Sequence, residues 1–341
     1  MSLVVKVQKN KISLQLLPTG VAIYIEGPFV LNTDPLLAEV WGVRVWYYGL
    51  AWAFGFLAFF LWVMLRRSYL GLSSRQALDL SLFFSLSCLV FGRAFQIFIH
   101  ESAIFRGGYP EILAFWKGGM AYEGVIVGAL VGVVLFCLIH KKGFLLIADE
   151  IVIPVAFLLA LGRIGNHLNG EVYGYVTTAW WAVRFPHAEG FRHPVALYEA
   201  FKNLLVMFIL FSVTRRAVAG QGRLLGHFML WYGAFDIAID ILQRPGPFFG
   251  EIGTGYLRSA LVTLIGLLLI ARSSRRNSKK ATNLNTLRFA PASLIATIPS
   301  GLNLGTWSRM ALFLAVLLFC LTIPSGWSQE WLHDLAAKLG I

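Results

Sequence analysis

Long apolar segments recur along most of the chain and are separated by short polar breaks. Each is close to the roughly 20 residues that an α-helix needs to cross a 30 Å hydrocarbon core. The pattern predicts seven membrane-spanning helices, at residues 46–65, 77–99, 119–139, 145–163, 195–213, 224–242 and 256–271. We therefore expect an all-α fold, a polytopic membrane helix bundle. A further apolar run, 310–323, is short for a span and ends at Pro324. It predicts either an eighth spanning helix or an interfacial or re-entrant segment.

Composition agrees with a membrane protein. Hydrophobic residues make up 57% of the chain and charged residues only 13%, against roughly 25% charged in soluble domains. The net charge of +12 does not indicate nucleic acid binding, because the basic residues form short clusters beside apolar runs rather than an aromatic-studded polar face. Cys88, Cys137 and Cys320 lie inside apolar runs without metal-type spacing. We expect neither a disulfide framework nor a metal site.

The basic clusters predict the orientation of the chain. They follow every second apolar run, as the excess of Lys and Arg in cytoplasmic loops requires, at residues 66–75, 141–142, 215–223 and 272–280. The N-terminus and the loops 100–118, 164–194 and 243–255 are then extracytoplasmic. We expect four regions: an extracytoplasmic segment 1–40, a transmembrane domain 41–272, a basic cytoplasmic linker 273–308, and an apolar segment with a tail, 309–341.

Charged and amide residues stand within the predicted spans or at their outer ends. An ionisable group at the centre of a spanning helix costs at least about 2.5–3.5 kcal/mol, so such residues are candidates for function. Each one alone fits a buried structural ion pair equally well. Their clustering towards one side of the membrane favours a shared polar cavity. They are Arg93, Glu123, Arg163, Glu171, Glu199, Asp236, Asp240 and Arg258, with Asn166 and Asn169 beside Arg163.

The strongest motif is Gly162-Arg-Ile-Gly-Asn-His-Leu-Asn-Gly-Glu-Val-Tyr-Gly174, at the outer end of the fourth span. We expect Gly162 and Gly165 to allow close helix approach, and Gly170 and Gly174 to let the backbone turn near a ligand. A guanidinium at this depth suits a lipid phosphate, because its planar fork binds phosphate through two hydrogen bonds and stays charged.

With this motif, five others make the chain resemble the bacterial prolipoprotein diacylglyceryl transferases, in order and spacing over about residues 40–272. The others are Trp46-Tyr-Tyr-Gly-Leu50, Phe91-Gly-Arg-Ala94, Gly118-Gly-Met-Ala-Tyr-Glu-Gly124, Arg192-His-Pro-Val-Ala-Leu-Tyr-Glu199 and Tyr232-Gly-Ala-Phe235. The resemblance implies transfer of the diacylglyceryl group of phosphatidylglycerol to the lipobox cysteine thiol of a prolipoprotein signal peptide, with release of glycerol phosphate and without a cofactor. The partners are then phosphatidylglycerol or a related phospholipid and prolipoprotein signal peptides.

The resemblance also assigns residues. It places Arg163 at the phosphate clamp and gives Glu123 and Asp236 catalytic positions. Substrate-binding positions fall on Tyr48, Arg93, Asn166, Asn169, Glu171, Gly174 and Tyr232. We expect Arg258 to bind substrate as well, although it does not match a family position.

Two positions depart from the family pattern. Glu123 stands where the family has a His proposed as catalytic base, and Asp236 stands where it has an Arg thought to act on the donor phosphate. Tyr256 replaces a usual Gln, with Arg258 two positions on. A desolvated carboxyl can still act as a base, but an aspartate cannot clamp an anion. We expect Asp236 to need protonation or pairing with Arg163, Arg93 or Arg258, and Glu123, Arg163, Asn166 and Asp236 to line one cavity.

The departures leave an alternative open, namely a catalytically silent or donor-shifted paralogue that binds lipid or signal peptide without this transfer. A small-solute transporter is a weaker alternative, because paired broken helices in two halves are not evident.

Overall fold

The computed structural model describes residues 5–8, 11–17, 20–26, 29–31, 34–100, 118–186, 188–214, 220–243, 254–280 and 304–324. Within these ranges the fold is an all-α helix bundle. Its helices are α1 Tyr47–Arg66, α2 Ser74–Phe95, α3 Tyr122–His140, α4 Phe144–Leu168, α5 Val195–Thr214, α6 Arg223–Gln243, α7 Thr254–Lys280 and α8 Leu304–Leu321. A π-helical turn, Gln96–His100, follows α2.

The seven predicted spans are confirmed. Among the described residues, α1 to α7 are each long and apolar enough to cross a membrane, so the chain is a multi-pass membrane protein. The predicted linker 273–308 begins within α7, which continues to Lys280. The rest of that linker up to residue 303, the tail from 325, and most of the loops 100–118 and 243–255 lie outside the described residues.

Short strands accompany the bundle. In the N-terminal segment, β1 Val5–Gln8, β2 Lys11–Leu17 and β3 Gly20–Glu26 form an antiparallel sheet. A hairpin of β5 Leu36–Val40 and β6 Val43–Trp46 leads directly into α1. The strand β4 Phe29–Val30 pairs in parallel with β7 Val183–Arg184, which pairs with β8 Phe191–Arg192. The N-terminal segment is thereby joined to the loop between α4 and α5.

Glycines set the close packing of α2 against α3. A Cβ at Gly124, Gly128 or Gly132 would lie 2.3, 2.2 or 2.4 Å from a carbonyl oxygen of α2. Without side chains at this face the two backbones meet directly, as at small-residue interfaces of other membrane helices. The N-terminal end of α3 is thereby held against the C-terminal end of α2.

The two ends of the bundle differ in their polar contacts. At the end that carries the basic clusters, hereafter the basic end, Nε of Arg66 in α1 lies 2.5 Å from the carboxylate of Glu150 in α4. Next to it, the buried Asp149 accepts hydrogen bonds from the backbone N–H groups of Gly222 (2.8 Å) and Leu225 (3.0 Å) at the start of α6. The opposite end, hereafter the site end, holds the C-terminus of α4 and the N-terminus of α5.

The helix α8 runs along α1 and α2 from one end to the other. Near its start, Arg309 pairs with Asp79 at 2.5 Å, and Thr306 accepts a hydrogen bond of 3.3 Å from Arg75. Near its other end, the carbonyl oxygen of Cys320 faces Gly49 in α1, where a Cβ would lie only 2.2 Å away. With 18 residues, α8 is about 27 Å long. The run 310–323 therefore forms an additional bundle helix, rather than a segment lying across the surface.

Candidate active site

A buried ion pair joins α4 to α5 at the site end. Nε of Arg163 and the carboxylate of Glu199 are in direct contact, and their side chains are 19% and 8% exposed. Arg163 lies in the last two turns of α4 and Glu199 in the second turn of α5. The carboxylate compensates the guanidinium and fixes its plane, as a charge at this depth requires.

Two tyrosines extend this pair towards α3 and α6. The guanidinium of Arg163 lies 5.0 Å from the centre of the Tyr122 ring. The hydroxyl group of Tyr122, in α3, is hydrogen-bonded to that of Tyr232, in α6. Four helices, α3 to α6, therefore meet around Arg163.

A second ion pair lies beyond Tyr232, between α5 and α6. It includes Lys202, which is not among the candidate residues predicted from the sequence. Nζ of Lys202 in α5 contacts the carboxylate of Asp236 in α6, and it lies 4.0 Å from the centre of the Tyr232 ring. Lys202 is buried, with 3% exposure. The partner of Asp236 is thus Lys202 rather than Arg163, Arg93 or Arg258. One signal was available, because a lysine three residues after Glu199 shares its helical face.

These contacts form one continuous polar network, from Glu199 through Arg163, Tyr122, Tyr232 and Lys202 to Asp236. It contains two cations and two carboxylates around a pair of phenol rings. Arg163 and Asp236 thus belong to the same cluster.

Glu123 lies at a more exposed position than this network. It pairs with Arg258 of α7 at 3.4 Å, and the two side chains are 49% and 44% exposed. Because Glu123 follows Tyr122 directly in a helix, their side chains point about 100° apart. Glu123 therefore lies beside the network and not within it.

The Gly162 to Gly174 motif forms a separate polar corner. The side-chain amide of Asn166 donates a hydrogen bond of 2.7 Å to the carboxylate of Glu171, which is buried. Asn169 is also buried, and neither its amide nitrogen nor its carbonyl oxygen has a hydrogen-bond partner among the described residues. A buried amide of this kind is suited to the polar group of a ligand, because leaving it unbonded costs free energy.

The backbone of the motif is shaped by particular residues. Gly170 has a φ of +76° and Val172, unusually for a β-branched residue, a φ of +56°. Backbone strain of this kind often accompanies functional sites. At Gly174 a Cβ would lie 2.6 Å from the carbonyl oxygen of Leu242, so only glycine allows this approach to α6.

One expectation for this motif is confirmed and another is wrong. A Cβ at Gly165 would lie 3.2 Å from the ring of Tyr48, and this glycine does allow close approach of α4 to α1. At Gly162 nothing lies within 4 Å of the added atom. The prediction of close helix approach there is wrong, because no described atom of another helix comes that close to Gly162.

Arg93 contributes to the frame of the site. Its guanidinium donates hydrogen bonds to the backbone carbonyls of Gly118 and Gly119, the latter at 3.2 Å. Both glycines have positive φ, 77° and 79°, and they lead into α3. Arg93 therefore fixes the entry to the helix that carries Tyr122 and Glu123, and a direct contact with substrate stays a prediction.

An apolar cavity of about 620 Å³ opens where α4 and α5 meet β4 and β7. Phe29, Val183 and Leu197 contribute to its wall, with His167 and Tyr198. The hydroxyl group of Tyr198 is hydrogen-bonded to Nε1 of Trp181 at 2.5 Å. Within the described ranges, no group of three or more His, Cys, Asp and Glu side chains is arranged to hold a metal ion.

The fold and this site define a polytopic membrane protein with a buried network of opposite charges at one end of its helix bundle. Residues 35–272 match the family model described as prolipoprotein diacylglyceryl transferase. The chain is 32% identical over 245 residues to the phosphatidylglycerol–prolipoprotein diacylglyceryl transferase of Aeromonas hydrophila subsp. hydrophila, covering 70% of this chain and 89% of that protein. It is 31% identical over 263 residues to the enzyme of the same name from Vibrio campbellii (74% and 94%), and 30% identical over 259 residues to that of Rickettsia bellii (73% and 98%). The chain belongs to the prolipoprotein diacylglyceryl transferase family.

Proposed function

We propose that this chain is a phosphatidylglycerol:prolipoprotein diacylglyceryl transferase. It transfers the diacylglyceryl group to the thiol of a lipobox cysteine and releases glycerol phosphate. The observation that carries this proposal is the largely buried Arg163, fixed by Glu199 at the site end of a bundle that matches the family over residues 35–272. A fixed, permanently charged guanidinium is the group required by a substrate whose phosphate becomes the leaving group.

Arg163 binds the phosphate of the donor lipid. Because Glu199 holds Nε, the guanidinium can direct its two terminal amino groups towards phosphate oxygens without reorganising. As the bond between the glyceryl carbon and the phosphate oxygen breaks, the oxygen keeps the electron pair and the leaving group gains one negative charge. Stabilisation of that charge by preorganised donors lowers the barrier.

The polar corner of the motif binds the glycerol part of the lipid. Asn169 offers a buried donor and acceptor, and Asn166 and Glu171 form the hydrogen-bonded pair beside it. Tyr48 packs against Gly165 from α1, and Gly174 allows the backbone to approach the end of α6. A hydroxyl group of the headgroup would complete the hydrogen bonding of Asn169.

Glu123 accepts the proton of the cysteine thiol, whose free pKa is about 8.5. The thiolate sulfur then forms the new bond to the glyceryl carbon. The partly exposed position of Glu123 supports this role, because a signal peptide reaches the site from outside the bundle. Arg258, at 3.4 Å, positions the carboxylate and compensates its charge.

The two lipidic substrates also require apolar surfaces. The cavity between the ends of α4 and α5 has mainly apolar walls and is open to a hydrophobic segment of either substrate. We place the chain in the bacterial inner membrane, with the site end and the N-terminal segment 1–40 extracytoplasmic and the linker 273–308 cytoplasmic. The positions of the basic clusters support this orientation.

The test is rescue of a bacterium depleted of its own transferase. Expression of this chain should stop prolipoprotein accumulation, and the Arg163→Ala variant should not. The purified chain in phosphatidylglycerol proteoliposomes should form a thioether on a lipobox peptide. A well-expressed wild-type chain that neither rescues growth nor forms thioether would support the silent-paralogue alternative.

A further inference from the structure

Lys202 is the buried cation that the proposed function leaves without a task. It lies in α5, one turn after Glu199, so both side chains project towards α4 and α6. At 3% exposure its ammonium group is removed from water as thoroughly as the core side chains. Keeping a lysine charged at this depth requires a counter-ion, and Asp236 supplies it.

The position of Lys202 relative to Arg163 connects the two cations. Lys202 lies over one face of the Tyr232 ring, at 4.0 Å from its centre. The hydroxyl group of Tyr232 is bonded to that of Tyr122, and Arg163 lies 5.0 Å from the centre of the Tyr122 ring. The two cations therefore flank one pair of bonded phenols, in the same cluster of four helices.

An ion pair that only joins two helices does not need to lie beside the Tyr122–Tyr232 pair. The Arg66–Glu150 pair serves that purpose at the basic end, where it joins α1 to α4. Lys202 instead contacts the Asp236 carboxylate and the Tyr232 ring through its single nitrogen atom, and its side chain is long and flexible. A lysine held in this way can exchange one anionic partner for another by rotating its side chain.

We propose that Lys202 is the second cation of the donor-phosphate site, and that Asp236 is the counter-ion that holds it there between turnovers. This inference rests on the proposed function and deepens it. When phosphatidylglycerol binds, the ammonium group moves from Asp236 to a phosphate oxygen. When the carbon–oxygen bond breaks and the leaving phosphate gains its second negative charge, Lys202 stabilises it by contact alone, and no proton leaves the lysine.

The experiment compares two neutralised ion pairs in the full-length chain. Lys202→Met with Asp236→Asn removes both charges of this ion pair and leaves neither partner buried alone. Arg66→Met with Glu150→Gln does the same at the basic end. Each is reconstituted in proteoliposomes with varied phosphatidylglycerol fraction, and thioether formation on a lipobox peptide gives kcat and KM. The second readout is the rise in thermal unfolding temperature that glycerol phosphate produces. This rise reports binding without turnover.

We expect the site-end double variant to lose about 100-fold in kcat/KM, as when one preorganised transition-state donor is removed, and to lose its protection by glycerol phosphate. The basic-end variant should keep both. A site-end variant that transfers at the wild-type rate with full protection would overturn the proposal.

Asp236→Asn alone provides a test that does not depend on the stability of the double variant. It leaves the Lys202 ammonium group charged and frees it for phosphate. Glycerol phosphate should then protect this variant against thermal unfolding at a several-fold lower concentration than it needs for the wild type. Damage to the fold would not increase the affinity for glycerol phosphate. Unchanged or weaker protection contradicts the proposal. If the wild-type chain transfers nothing, the proposed function fails, and the protection measurements still decide whether Lys202 binds phosphate.

Discussion

The carboxylate of Glu199 contacts Nε of Arg163 across the α4–α5 interface. This contact occupies Nε, and the guanidinium lies 5.0 Å from the centre of the Tyr122 ring in α3. The same helix α5 supplies Lys202 one turn later, so a single helical face presents one acid and one base to the two helices beside it. The Arg163–Glu199 and Lys202–Asp236 pairs each combine one positive and one negative charge, so the cluster as a whole is neutral.

Arg163→Ala should abolish phosphatidylglycerol-dependent transfer, and Arg163→Lys should retain about 1% of it or less. An ammonium group offers a point charge where the site is built for a planar fork, so it cannot contact Glu199 and two phosphate oxygens together. The measurement is thioether formation at saturating phosphatidylglycerol. Arg66→Lys is the matched control at the basic end and should stay near the wild-type rate. Near-normal turnover by Arg163→Lys would rule out the two-point clamp.

Glu199→Gln should affect catalysis without removing the guanidinium. Glutamine keeps the shape of the side chain and one oxygen, but it leaves the charge of Arg163 uncompensated at this depth. We expect kcat to fall about tenfold or more, because the orientation of a transition-state donor is lost. Steady-state kinetics in proteoliposomes check this, with Glu39→Gln in the exposed hairpin as a neutral control. A change in stability with unaltered kcat would assign Glu199 a structural role only.

The departures from the family pattern are partly compensated. Replacing a His by Glu123 and an Arg by Asp236 makes the site more acidic by about three unit charges if both carboxyls ionise, and this alone should weaken binding of an anionic headgroup. Lys202 returns one positive charge directly beside Asp236. The acidic substitution at 236 is therefore not sufficient evidence for a silent relative.

Restoring the family residue at position 236 should fail when made alone. Asp236→Arg would place a guanidinium against the buried Lys202 ammonium group, and such a like-charge pair is strongly unfavourable at low dielectric. We expect the single variant to unfold several degrees below the wild type. Asp236→Arg with Lys202→Leu should recover stability, and adding Glu123→His should raise phosphatidylglycerol-dependent transfer. If Asp236→Arg alone is fully stable and active, the Lys202 ammonium group does not repel a cation at position 236, and the proposed contact between the two positions is contradicted.

Glycine substitutions separate close helix contact from open space. Gly128→Ala would place its methyl group 2.2 Å from the carbonyl oxygen of Ser87, whereas the same change at Gly162 meets nothing within 4 Å. The first should force α2 and α3 apart and lower the thermal unfolding temperature by several degrees, because overpacking costs about 1–3 kcal/mol. The second should leave unfolding temperature and transfer unchanged. Equal effects of the two substitutions would contradict the α2–α3 contact.

Much of the fold was predictable from the sequence, and less of the site. The seven spans follow from the apolar runs because the bilayer thickness fixes the length of each helix. The short run 310–323 was ambiguous, since only the contacts of Arg309 and Cys320 at opposite ends determine its direction. Gly162 and Gly165 look alike in the sequence, and which one faces α1 depends on the rotation of α4. The face that Lys202 shares with Glu199 marks it as a candidate in the sequence, but its pairing with Asp236 depends on the packing of α5 against α6, which the sequence does not show.

The helix α8 lies beyond residues 35–272, the region that matches the family model. Asp79 holds this helix at the basic end, with Arg309 at 2.5 Å and His140 at 3.3 Å. Asp79→Ala should leave Arg309 without its carboxylate and loosen α8 from α1 and α2, because the charge-assisted hydrogen bond between them is lost. Cys320 is fully buried against Gly49, so its labelling by a membrane-permeant maleimide reports the opening.

In a background with Cys88→Ala and Cys137→Ala, we expect Asp79→Ala to increase the labelling rate of Cys320 about tenfold or more, because local opening governs access to buried groups. Glu39→Ala, which breaks the exposed contact with Arg44, should not change it. Equal labelling of the Asp79→Ala and Glu39→Ala variants would show that α8 is held by its apolar contacts alone.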